Sequence, residues 1–136
     1  MVAHSKTELS GHVDEQNHLG LLKLLCAPLD EAVTITRTEE NGGWEIIYVN
    51  ESFTRLTGYT AKDAIGASPG FLQGPKTERS VIQSLERSLL NDLPFRGRAV
   101  NYRKDGQPFR MDWEVVSFHD DQGNKRFYMA VQREAK

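Results

Sequence analysis

Apolar positions along the chain recur at helical spacing, then alternate in twos, return to a helical stripe, and finally alternate over three longer stretches. In Asn17 to Cys26, NHLGLLKLLC, the residues Leu19, Leu22 and Cys26 fall at helical spacing beside Leu21 and Leu25, which predicts a short helix with a broad apolar face. Ala32 to Thr36 alternates Val33 and Ile35 with threonines, and Trp44 to Val49 reads as a second strand, so the turn residues 39–43 make a hairpin. Asn50 is a suitable N-cap for a helix over Glu51 to Leu56 that Gly58 closes. Thr60 and Asp63 form the two halves of a capping box around Ala61 to Ile65. Thr77 to Leu90, TERSVIQSLERSLL, keeps Val81, Ile82, Leu85, Leu89 and Leu90 on one stripe, and Pro75 suits the start of that helix.

The period then becomes two. Phe95 to Lys104, a Lys104-Asp105-Gly106 turn, Pro108 to Phe118, a His119 to Asn124 turn containing Gly123, and Arg126 to Arg133 predict three consecutive antiparallel strands. The order of two strands, helices and three strands implies an α+β domain with a five-stranded antiparallel sheet and the helices on one face. Residues 1–26 are expected to be a flexible N-terminus followed by an amphipathic cap helix, and residues 27–136 the domain itself. The apolar face of the cap needs a partner, which is the open face of its own sheet, a second copy, or both.

Composition narrows the function by exclusion. The 136 residues suit one core, and 17 basic against 19 acidic residues give a formal charge of -2 without a basic block, so neither nucleic acid nor an anionic membrane is expected to bind. The apolar run Leu21 to Ala27 is broken by Lys23, so no spanning segment is expected and a soluble cytoplasmic protein is. Cys26 is alone, and His4, His12, His18 and His119 lack metal-ligand spacing, so no disulfide or metal site is expected. Asp112 with Glu114, Asp120 with Asp121, and Ser117 with His119 read as solvated polar pairs; no nucleophile, base and orienter come together, and catalysis is not expected.

The most distinctive stretch is Gly66 to Thr77, GASPGFLQGPKT. Glycines and prolines punctuate an apolar Phe71-Leu72 pair and a single amide, Gln73, so the segment reads as a tight turn system that packs one side and walls a pocket with the other.

Four motifs in order carry a resemblance: YVNESFTRLTGYT at 48–60, FLQGPKT at 71–77, VNYRKDGQPF at 100–109 and YMAVQRE at 128–134. From about Ala27 to Glu134 the chain resembles the PAS superfamily, and within it the light-oxygen-voltage branch. In that branch the pocket segment reads GRNCRFLQG, with a cysteine that bonds the excited flavin and an arginine that holds its phosphate. Here the asparagine, cysteine and arginine positions are Ser68, Pro69 and Gly70.

The resemblance implies a flavin, FMN or riboflavin, held by the amides Gln73, Asn101 and Gln132, groups that both donate and accept. A second expected asparagine falls at Met111, which shares a strand face with Trp113 and Val115. Met111 and Trp113 either fill the core and shrink the cavity, or Trp113 stacks on the ligand or donates it an electron. The other phosphate-binding arginine falls at Glu86, a repelling carboxylate, while Arg79, nearly two turns earlier on the same face, and Lys76 stand to compensate. Pro69 has no thiol and Cys26 precedes the pocket motif, so a flavin would respond by reduction, with Gln132 re-forming its hydrogen bonds, and not through a cysteine adduct. Heme is not expected, because the long helix has no histidine.

The function implied is a non-enzymatic sensory module, with an unnamed downstream signalling partner and a homodimer contact through the N-terminal helix and sheet face. The alternative is a ligand-free interaction module that dimerises through Leu19, Leu22 and the exposed sheet face. No segment reads as a kinase, cyclase or DNA-binding effector.

Overall fold

The computed structural model describes residues 15–38, 41–119 and 126–136. The N-terminal segment with His4 and His12, the side chain of His18, Glu39 and Glu40, and the turn residues Asp120, Asp121 and Gly123 lie outside the described residues. The elements are α1 (Glu15–Cys26), β1 (Ala32–Thr38), β2 (Trp44–Val49), α2 (Glu51–Thr57), α3 (Ala61–Ala64), a 3-10 turn (Pro69–Leu72), α4 (Arg79–Leu90), β3 (Phe95–Tyr102), β4 (Pro108–His119) and β5 (Arg126–Glu134). The strands make one antiparallel sheet in the order β2-β1-β5-β4-β3, so the last strand lies at the centre beside the first. This is the expected α+β architecture.

Local chemistry ends the helices where the sequence suggests. Asn50 caps α2 through the Phe53 N–H, and Gly58 closes it at φ 82°, a left-handed conformation that glycine adopts without a Cβ penalty. Thr60 and Asp63 form the reciprocal capping box of α3. Helix α4 begins at Arg79, two residues later than its apolar stripe implies. The Thr77 hydroxyl is engaged elsewhere: it accepts the Gly74 N–H at 3.0 Å and donates to the Val100 carbonyl at 2.6 Å. Pro75 therefore lies in a turn before the helix. Leu90, expected on the buried stripe, is 78% exposed, one helical step beyond the buried Leu89.

The two sheet faces bury different things. On one face α2, α3, α4 and the 3-10 turn enclose Phe53, Ile46, Ile82, Leu89, Phe95 and Trp113. On the other, Leu19, Cys26 and the half-buried Leu22 of α1 cover Val33, Ile35 and Phe127. The cap thus lies on the open face of its own sheet. Leu19 is buried there, whereas Leu21, Leu24 and Leu25 are 56%, 74% and 59% exposed. A bulge between Ile35 and Thr36 in the β1–β2 ladder pairs Ile35 with Tyr48 and Thr36 with Ile46. The extra residue, Ile47, breaks the two-residue period, so Ile46 faces the enclosed side while Tyr48 faces the cap and donates to the Lys23 carbonyl. The alternation of β2 alone gives no sign of it.

Candidate functional site

Between the sheet and the α2–α4 side lies a cavity of about 580 Å³. Its floor comes from alternate residues of the strands: Thr34 and Thr36 on β1, Gln132 on β5, Met111 and Trp113 on β4, and Asn101 on β3. The opposite wall is the segment Ser68 to Gln73, and the rim carries Arg79, Glu86 and Leu90 of α4. All six candidate residues from the sequence, Gln73, Asn101, Met111, Trp113, Gln132 and Arg79, therefore line one cavity, while Lys76 does not.

The wall is built as its composition suggests. Leu72 is buried beneath the 3-10 turn, and Phe71 packs edge-on against Tyr59 at 4.9 Å between ring centroids. Gly74 passes so close to Tyr102 that a Cβ there would stand 2.3 Å from the ring. Tyr102 is itself held, its hydroxyl accepting the Lys76 N–H at 2.9 Å. Gly74→Ala is expected to displace the ring and lower stability by about 2 kcal/mol, read by thermal denaturation; an unchanged melting temperature would contradict the close packing.

Glu78 anchors the start of α4, a role not visible in its sequence context. Its carboxylate accepts the Val100 N–H at 2.8 Å and pairs with Arg110 at 3.1 Å. The bond from Val100, then Glu78's own N–H and the Arg110 guanidinium, hold this carboxyl below the usual glutamate range. A depressed folded value means that the stabilisation is fully present above the ordinary value of 4.5 and is lost as pH falls through the folded value. The stability gap between the native protein and Glu78→Gln should accordingly narrow as pH is lowered from 7 to 3, which urea titrations at each pH would measure. A constant gap would contradict it.

Polar groups on the cavity floor have bonding capacity to spare. Asn101 is 4% exposed, and its only side-chain bond among the described residues is a long one, 3.4 Å, from Nδ2 to the Ala99 carbonyl. Gln132 accepts the Thr34 hydroxyl at 2.8 Å through Oε1, while among the described residues its Nε2 has only the Met111 sulfur, at 3.9 Å. Thr36 is 4% exposed and makes no side-chain bond among the described residues. Met111 and Trp113 are buried, with Trp113 tilted against Phe95 at 5.2 Å, yet they leave the cavity open. At the rim Trp44 stacks on Tyr128 at 5.0 Å, a pairing across β2 and β5 that the sequence does not reveal. Arg79 and Glu86 make no ion pair with each other or with any other described residue.

Several groups lie away from the cavity. Cys26 is a buried free thiol in the cluster under the cap, on the other face of the sheet. Asp112 and Glu114 pair with Arg98 and Arg96 on the outer face, as solvated charge. Among the described residues no three His, Cys, Asp or Glu side chains gather as a metal site, and no helix is long and apolar enough to cross a membrane.

Comparison with known proteins agrees with this geometry. The chain is 31% identical over 119 residues to the nitrogen fixation regulatory protein of Klebsiella oxytoca, a match covering 88% of this chain and 23% of that protein. It is 36% identical over 89 residues to phototropin-2 of Oryza sativa subsp. japonica, covering 65% of this chain and 10% of that protein. The chain thus spans less than a quarter of the length of these curated relatives. A solved structure from work on a flavin analogue and light-oxygen-voltage domain mechanism superposes with a TM-score of 0.74 at 25% identity, covering 93% of this chain and 89% of that one. A family model described as PAS domain matches residues 30–135, which takes in all five strands and the whole cavity, and the chain belongs to that family.

Proposed function

We propose that this PAS domain is a non-enzymatic sensory module that holds a flavin, FMN or riboflavin, non-covalently in its cavity and responds to light or redox state. The observation that carries the reading is the spare hydrogen-bonding capacity of Asn101, Gln132 and Thr36, buried and facing one cavity. No buried side-chain nitrogen or oxygen among the described residues lacks a partner, so this spare capacity belongs to atoms that open on the cavity, where a ligand would meet them. The cavity volume lies within the usual range of small-molecule sites, about 300–1,000 Å³.

The donor set fits a flavin. Asn101 and Gln132 offer donors and acceptors to the polar edge of a planar ring, Gln73 does so from the opposite wall, and the Trp113 indole would give such a ring an aromatic surface to pack on. When bound, a flavin supplies blue-light absorption and reversible electron uptake. At the rim Arg79 attracts a phosphate and Glu86 repels it, so riboflavin loses less than FMN. No cysteine lines the cavity, and the thiol of Cys26 lies across the sheet, which supports a hold without a covalent bond. From Gln132 a signal passes to β1 through Thr34, and from β1 to the cap through Asn50, which bonds both Val33 and Cys26.

The exposed leucines of α1 favour a second reading, in which the domain also dimerises through Leu21, Leu24 and Leu25 in the cytoplasm and passes its signal to a further protein. Leu24→Asp would then yield a monomer in sedimentation.

The flavin reading is tested by adding riboflavin to the purified protein, removing excess by gel filtration and recording the absorption spectrum. Structured flavin bands that elute with the protein are expected. A colourless protein fraction would overturn the reading.

A further inference from the structure

Thr34 and Gln132 are 98 positions apart in the chain and adjacent in the sheet. β1 and β5 pair Ala32 with Gln132 and Thr34 with Ala130, so the two side chains are diagonal neighbours on the cavity face. Both are buried, 5% and 6% exposed, and the Thr34 hydroxyl donates to Gln132 Oε1 at 2.8 Å. A primary amide has an acceptor end and a donor end in fixed opposition. With Oε1 held by Thr34, the NH₂ end is left to the cavity side, where its partner is the Met111 sulfur at 3.9 Å, a weak acceptor.

Turning the amide over would be unfavourable. The hydroxyl oxygen of Thr34 can accept from the turned NH₂, but its own hydrogen would then lose the Gln132 acceptor, the one bond this hydroxyl makes among the described residues.

We infer that Thr34 is a positioning residue that keeps the donor end of Gln132 toward the cavity, so that the site selects a ligand presenting a hydrogen-bond acceptor beside β5. For a flavin that ligand is the oxidised ring, whose nitrogen accepts. In a bound flavin, two-electron reduction with uptake of a solvent proton would make that nitrogen a donor, and the Gln132 NH₂ would then face a donor in place of an acceptor. The choice of flavin rests on the reading above, whereas the orientation of the amide does not.

Two measurements with Thr34→Val, which removes the hydroxyl and keeps the shape, test this separately. In the ligand-free protein, nuclear Overhauser effects from the Gln132 NH₂ protons to the Met111 methyl report the orientation. The native protein should show them as one set, Thr34→Val should average or lose them, and Thr34→Ser should restore them. In riboflavin-loaded protein titrated with dithionite, Thr34→Val should bind the reduced form about fivefold better relative to the oxidised form. That change raises the two-electron midpoint potential by about 20 mV, and Thr34→Ser should reverse it.

A valine variant with the native Overhauser pattern would overturn the positioning role. An altered pattern with an unchanged potential would overturn the selectivity and keep the positioning. If the protein takes up no flavin, the flavin reading fails and the Overhauser measurement alone decides the role of Thr34.

Discussion

Asn50→Ala is expected to lower the unfolding free energy by about 3–4 kcal/mol, with a fall of about 10–15 °C in melting temperature. Asn50 is 4% exposed and makes four side-chain bonds, to three elements and the loop before β1. Its Oδ1 accepts the N–H of Val33 in β1 at 2.9 Å and of Phe53 in α2 at 3.0 Å. Its Nδ2 donates to the carbonyl of Cys26, at the end of the cap helix, at 3.0 Å and to that of Glu31 at 2.9 Å. Loss of an N-cap alone costs about 1 kcal/mol. The larger share comes from the buried backbone groups that alanine leaves without partners. Asn50→Asp divides the effect: it keeps both accepted bonds, loses both donated ones and sets a carboxylate against two carbonyls. Amide hydrogen exchange should then quicken across Leu19 to Cys26 while α2 stays protected. An unfolding free energy for Asn50→Ala, from urea titration, within about 1 kcal/mol of the native value would contradict this account.

The paired substitution Asn101→Leu with Gln132→Leu is expected to weaken riboflavin binding at least about 100-fold, with each single change contributing about tenfold. Each removes an amide that faces the cavity, and leucine supplies a branched side chain of comparable reach without the polar atoms. Stability should fall by about 1–2 kcal/mol, because the change removes the Thr34–Gln132 bond and leaves the Thr34 hydroxyl without its acceptor. A loss of affinity larger than the loss of stability marks a floor that serves the ligand more than the fold. Fluorescence quenching of riboflavin and urea denaturation on the same variants measure the two quantities. A loss of affinity that merely follows a loss of stability would contradict the assignment.

Much of this was legible in the chain because it is local. Gly58, the Thr60–Asp63 box and the capping bond of Asn50 act within four residues of themselves, and each caps the helix that its spacing implies, whereas the bonds of Asn50 to Val33, Cys26 and Glu31 are not local. The strand period likewise places Met111, Trp113 and Val115 on one face, and all three line the cavity. What escaped depends on partners distant in sequence. Thr34 reads as one threonine in an alternating strand until β5 is laid beside β1. Glu78 reads as the first turn of a helix, yet its carboxylate holds Val100 and Arg110 from two other strands, and α4 starts after it. The bulge at Ile47 reverses the facing of Tyr48 without a glycine or proline to announce it. The four leucines of α1 between Leu21 and Leu25 share one composition, but the path of the sheet beneath decides that Leu22 is half-buried while its neighbours are exposed.

The most direct test of the cavity as a flavin site is a titration of isotope-labelled protein with riboflavin, followed through the side-chain amide resonances of Asn and Gln and the backbone amides of the cap helix. The account predicts saturable shifts at Gln73, Asn101 and Gln132, with the Leu21, Leu24 and Leu25 amides of the cap helix moving little. Shifts confined to the cap helix, or none at the three cavity amides at saturating riboflavin, would contradict it.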